Sequence, residues 1–108
     1  MNPGRLPNFF CIGAPRAGTT WLYESLSQHP ETFVPTLKEL NYFIRSEYRS
    51  SAHRGEDWYR SLFVATEKPQ VKLWGDISPR YYYQEDTPFL IRDLVPNARL
   101  LLMLRHPV

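Results

Sequence analysis

A single cysteine, Cys11, stands in 108 residues, so no internal disulfide can staple the chain. It lies in the apolar run Phe9-Phe10-Cys11-Ile12 and reads as a small core residue. No stretch approaches the roughly 18 apolar residues that a membrane span needs. The N-terminus lacks the basic-then-apolar order of a signal peptide, so a cytoplasmic chain is the expectation. A net charge of +2 is too mild for a nucleic-acid surface. His29, His53 and His106 lack metal-ligand spacing with one another or with Cys11, so no metal site is expected. There is no repeat and no low-complexity segment, and the prolines are too scattered for a linker. What remains is ordinary globular composition, with room for one small domain or half of a larger one.

Within that frame, short strands alternate with helices. Apolar runs predict strands at 8–13, 32–34, 71–75 and 99–104. Helical spacing covers 19–28, where Trp21, Leu22, Ser25, Leu26 and His29 recur on one side before Pro30. Further helices are expected at 36–43, 56–65 and 87–94, with another helical segment opening at Ser78-Pro79. Residues 45–55 read as polar and irregular. Five consecutive apolar residues, Leu100 to Leu104, predict a fully buried strand. This rhythm implies an α/β, three-layer fold with a mainly parallel sheet. Ligands in such sheets bind beyond the carboxyl ends of the strands.

The residues after the first strand are built for an anion. Gly13-Ala14-Pro15-Arg16-Ala17-Gly18-Thr19-Thr20 is a loop bounded by glycines that runs into a helix. Backbone N–H groups and the positive helix end would converge there. The spacing matches the phosphate loop G-x-x-x-x-G-K-[ST], except that Thr19 stands where lysine is expected. Cation duty would pass to Arg16. Such a loop would hold a phosphate without being built to cleave a triphosphate. Thr19 and Thr20 could equally serve as helix caps. In a triphosphatase reading Asp76 would hold magnesium, on a strand poorly suited to it.

Four stretches taken in order resemble the N-terminal half of a nucleotide-dependent sulfotransferase: GAPRAGTTWL at 13–22, PTLKELNYF at 35–43, GDISPRYY at 75–82 and LLMLRHPV at 101–108. The combination is closer to the bacterial and Golgi-type carbohydrate branch than to the phenol and steroid branch. The resemblance implies a phosphate-loop-type fold and a donor, 3′-phosphoadenosine 5′-phosphosulfate (PAPS), whose sulfuryl group moves to a hydroxyl or amine. It implies no metal. It also implies that residues 1–108 are the N-terminal part of one domain, cut after the strand that binds the 3′-phosphate.

The resemblance further implies individual roles. Arg16, Ala17, Gly18, Thr19 and Thr20 would cradle the 5′-phosphosulfate. Family members usually carry lysine at the position of Arg16; arginine keeps the charge but donates no proton at neutral pH. Trp21 would stack on adenine, though an aromatic beside Leu22 and Leu26 also suits a core. Arg105 would grip the 3′-phosphate. Glu39 would be the general base and Lys38 would neutralise sulfuryl oxygens. Thr36-Leu37-Lys38-Glu39 also fits a capping box, in which Glu39 only ties back to the helix start. Asp76 and Ser78 would line the acceptor cleft, where the carbohydrate branch often has lysine at the position of Ile77. His53 does not match the catalytic histidine context of the phenol and steroid branch. The alternatives left open are a phosphate-loop kinase or triphosphatase, and a non-catalytic nucleotide-binding fragment.

Overall fold

The computed structural model describes residues 4–37, 39–45, 50–65 and 68–104. Among the described residues four strands form: β1 (Phe9–Gly13), β2 (Thr32–Phe33), β3 (Leu73–Ile77) and β4 (Arg99–Leu102). They make one sheet in the order β2-β3-β1-β4, and every pairing is parallel. The apolar first strand thus takes the interior of the sheet, between β3 and β4. The third strand begins at Leu73 and runs on to Ile77, two residues further than its apolar run suggests.

Successive side chains along a strand point to opposite faces, and each face has its own core. Cys11, Val34 and Ile77 pack with Leu22, Tyr23 and Leu26 of helix α1 (Thr19–Gln28). Phe10 faces the other way, among Leu40, Phe43, Ile44, Tyr59, Phe63, Tyr81 and Ile91. Helices α2 (Gly55–Ser61) and α3 (Thr87–Leu94) contribute to that second layer. It is rich in rings: Tyr42 stacks on Tyr59 at 4.2 Å, and Phe43 and Phe63 meet Tyr59 edge-on at 5.5 and 5.3 Å.

Local chemistry explains the helix ends. Lys68 Nζ donates to the carbonyls of Ser27, His29 and Thr32 at 2.7, 3.2 and 3.1 Å. It thereby satisfies carbonyls at the C-terminal end of α1 and ties that end to β2. Glu56 and Asp57 in the first turn of α2 and Arg60 in its last turn suit the helix dipole. This helix stops at Ser61 rather than 65. The amides of Leu62 and Phe63 bond to carbonyls three residues back, at 3.2 and 3.1 Å, and the tightened turn brings Phe63 into the core.

Two further expectations are corrected. Residues 39–43 are not helical; Glu39 and Asn41 take left-handed backbone conformations, with φ of 57° and 55°. The 100–104 run is not fully buried either. Only Leu101 and Met103 pack against the α1 layer, while Leu100, Leu102 and Leu104 are exposed. Among the described residues β4 pairs with β1 alone, so its outer edge is open.

Candidate functional site

The loop from β1 to α1 is anchored at its base. Met103 donates its amide to the Gly13 carbonyl at 2.8 Å, and Ala14 donates to the Met103 carbonyl at 2.7 Å. Gly13 has φ 147°, and a Cβ there would lie 2.7 Å from the Cβ of Tyr82, so only glycine fits. The chain then turns through Arg16 (φ 63°) and Gly18 (φ 92°), with Ala17 bonding back to the Ala14 carbonyl at 3.2 Å. Gly18 is the N-cap of α1, and no side chain caps the helix. Thr19 and Thr20 are therefore the first residues inside the helix, not caps.

Pro15, Arg16, Gly18, Thr19 and Thr20 line a cleft of about 540 Å³ together with Glu39 and Pro79. The cleft opens past the carboxyl ends of β1 and β3, where an α/β sheet presents its ligands. The structure thus brings Arg16, Gly18, Thr19, Thr20 and Glu39 to one place. Glu39 is exposed and lies outside any helix, so the capping-box alternative has no helix start to cap. Trp21 is 66% exposed, which removes the core reading and leaves a free ring face beside the loop. Lys38 and Arg105 lie outside the described residues.

Asp76 and Ser78 are not in the cleft. Asp76 is paired across the sheet with Phe10 and shares its aromatic face, completely buried. Its carboxylate accepts three hydroxyl protons: from Ser78 Oγ on Oδ1 at 2.6 Å, and from Tyr59 and Tyr81 on Oδ2 at 2.5 and 2.8 Å. The longer β3 explains the correction, since it carries Asp76 inside the sheet rather than past its end. Burial pushes the Asp76 carboxyl above its ordinary range, and the three hydroxyls pull it back only in part. Burial, reinforced by the negative charge of Asp76, holds Tyr59 and Tyr81 well above the usual phenol value. Burial also raises the Cys11 thiol, in keeping with an inert core cysteine.

The segment after Glu39 is held by side-chain hydroxyls. Ser78 Oγ accepts from the Asn41 amide at 3.1 Å, and Tyr81 OH accepts from the Phe43 amide at 3.3 Å. Ser51 Oγ donates to the Leu40 carbonyl at 2.6 Å, and Thr87 Oγ1 donates to the Phe43 carbonyl at 2.7 Å. Sequence reasoning missed Tyr59, Tyr81, Ser51 and Thr87. One signal existed: Asp76 and Ser78, two apart at the end of a strand, must share a face.

A magnesium role for Asp76 in the cleft does not survive this geometry. Among the described residues, no group of three or more His, Cys, Asp or Glu side chains could hold a metal. No helix of the described residues is long and apolar enough to cross a membrane.

A parallel sheet with a glycine-bounded loop at the carboxyl end of an interior strand defines a phosphate-loop-type α/β domain. Within that class the chain belongs to the sulfotransferase family, whose model matches residues 7–88. It is 33% identical over 108 residues to the human bifunctional heparan sulfate N-deacetylase/N-sulfotransferase 3, covering 95% of this chain and 12% of that protein. It is 29% identical over 143 residues to human carbohydrate sulfotransferase 15, covering 95% of this chain and 26% of that one. A crystal structure of a sulfotransferase from Alicyclobacillus acidocaldarius superposes with a TM-score of 0.76 at 32% identity, covering 92% of this chain and 44% of the other. The chain therefore spans less than half the length of these relatives.

Proposed function

We propose that the protein carrying this chain transfers a sulfuryl group from PAPS to a hydroxyl or amine of a carbohydrate or small molecule. The observation that carries this reading is the meeting of the Arg16 loop and Glu39 in one cleft, in a chain of the sulfotransferase family. The names of the relatives, heparan sulfate and carbohydrate sulfotransferases, support a sugar acceptor.

The residues take these roles. Backbone N–H groups at the start of α1, with Arg16, hold the 5′-phosphosulfate and stabilise charge on its oxygens during transfer. Ala17, Thr19 and Thr20 complete that cradle, and the exposed ring of Trp21 offers a face for adenine. Arg105 binds the 3′-phosphate. Glu39 takes the proton from the acceptor as its oxygen or nitrogen attacks sulfur. The bond from sulfur to the 5′-phosphate oxygen breaks, and adenosine 3′,5′-bisphosphate departs with its negative charge neutralised by Arg16, while Lys38, next to Glu39 in sequence, neutralises the sulfuryl oxygens. Arg16 acts as an electrostatic clamp, not as an acid.

The test is turnover of the full-length protein with PAPS and a panel of sugars, with and without a magnesium chelator. Chelator-resistant transfer is expected, since this donor has no triphosphate for magnesium to bridge. Magnesium-dependent hydrolysis of a nucleoside triphosphate, without sulfuryl transfer, would instead establish the kinase-like alternative.

A further inference from the structure

We propose that Asp76 is a positioning residue: through Ser78 and Tyr81 it fixes the 40–43 segment, and so sets where Glu39 stands in the cleft. The proposal rests on the reading of Glu39 as base.

Three observations carry it. First, the segment that follows Glu39 belongs to no helix or strand, so its place is fixed by what holds its backbone. Second, two of its amides, Asn41 and Phe43, end on hydroxyl oxygens 37 and 38 residues away in the chain. A hydroxyl is a rotor with one proton, and it accepts from an amide reliably only when that proton is committed elsewhere. Third, Asp76 commits both: Oδ1 takes the proton of Ser78 and Oδ2 that of Tyr81. Each arm therefore runs in one direction, from loop amide to hydroxyl to carboxylate. The network is buried, so water is a poor substitute for any lost member.

An amide cannot do the same work. In Asp76→Asn one oxygen is replaced by an NH₂ group, and whichever way the side chain turns, at least one hydroxyl proton loses its acceptor. The segment then loses one of its two directed arms. A shift of about 1 Å at a reacting group can cost about 10²-fold in rate.

Tyr59 supplies an internal control. Its hydroxyl donates to the same Oδ2 as that of Tyr81, but only Tyr81 passes a bond on to the segment. Three variants of the full-length protein, Asp76→Asn, Tyr81→Phe and Tyr59→Phe, are compared for kcat at saturating acceptor and for calorimetric binding of adenosine 3′,5′-bisphosphate. Asp76→Asn and Tyr81→Phe should lower kcat about 10–100-fold with bisphosphate affinity within about twofold of the parent. Tyr59→Phe should keep a near-parental kcat. Combining Tyr81→Phe with Glu39→Gln should add nothing to the loss from Glu39→Gln alone, because both act on one group. Equal kcat in Tyr59→Phe and Tyr81→Phe, or fully multiplicative losses in the double variant, would overturn the proposal. If Asp76→Asn does not fold, the two tyrosine variants decide alone. Near-parental turnover in Glu39→Gln would instead remove the base reading. Loss there with parental kcat in Tyr81→Phe removes the positioning role and leaves the base.

Discussion

Replacing Glu39 by glycine should make the protein more stable and nearly inactive at once. Glu39 holds φ at 57°, where an L side chain meets the following carbonyl. That conformation costs about 1–2 kcal/mol for a residue with a Cβ and almost nothing for glycine. Glycine gives back about 0.5–1 kcal/mol through the greater freedom of its unfolded chain. The Glu39 side chain is exposed, so little contact energy opposes the change. The net gain is about 0.5–1 kcal/mol, or about 1–4 °C in Tm for a domain of 150–250 residues. Turnover should fall by about 10²–10⁴-fold, the usual contribution of a general base. Glu39→Gln separates the two effects: it keeps the backbone cost, so Tm stays level while turnover falls. Scanning calorimetry and steady-state sulfuryl transfer, run on both variants, give the two readouts. A lower Tm in Glu39→Gly would mean that the carboxylate holds the fold together. Retained turnover in either variant would end its candidacy as base.

Other outcomes follow from the same geometry. Arg16→Ala should weaken adenosine 3′,5′-bisphosphate binding about 10–100-fold in calorimetry, the equivalent of about 1.5–3 kcal/mol for a charged hydrogen bond, while Arg16→Lys should recover part of it. Because burial raises the folded-state pKa of Asp76 above the ordinary 3.8, the native state binds its proton more tightly than the unfolded chain does. Its contribution to stability should therefore be largest below the ordinary value and decline as pH rises through the raised one. Urea titrations across that window should show a flatter pH dependence in Asp76→Asn than in the parent, and an identical slope would refute the assignment. Lys68→Met should cost about 1–2 kcal/mol with an unchanged m-value, because it strips three carbonyls of one donor.

What the sequence disclosed and what it hid divide along the range of the interactions. The bounds of α1 and α3 were readable because Gly18, Pro30, Thr87-Pro88 and the helical spacing act within a few residues. The parallel sheet was readable from apolar runs separated by helices, and the anion loop from glycines at fixed spacing. The 36–43 segment misled for the same reason. Thr36 and Glu39 sit at capping-box spacing, and Leu37 and Leu40 suit a helix. The winning partners, Ser78, Tyr81 and Thr87, come from a distant part of the chain, and no local pattern announces them. Asp76 stands just past the expected 71–75 strand, which agrees with the place at the cleft that the resemblance implies. Only the pairing of Phe10 with Asp76 reveals that the strand continues. The exposure of Leu100 and Leu102 was hidden because an apolar run does not say whether both faces of its strand are covered.

The interior place of β1 has a consequence for biosynthesis. Of the four described strands β1 leaves the ribosome first, yet its two neighbours lie far downstream: Phe9 aligns with Gly75 on one side and with Arg99 on the other. At about 5–20 residues per second, the ribosome takes roughly 5–20 s to deliver the second of them. Until β3 is made, Phe9, Phe10, Cys11 and Ile12 form an unpaired, sticky segment of the nascent chain, and the edge that β4 covers stays open longer still. The sheet closes in the order in which its distant strands arrive, β3 before β4. The four described strands assemble around the oldest of them, and β4 completes the sheet last.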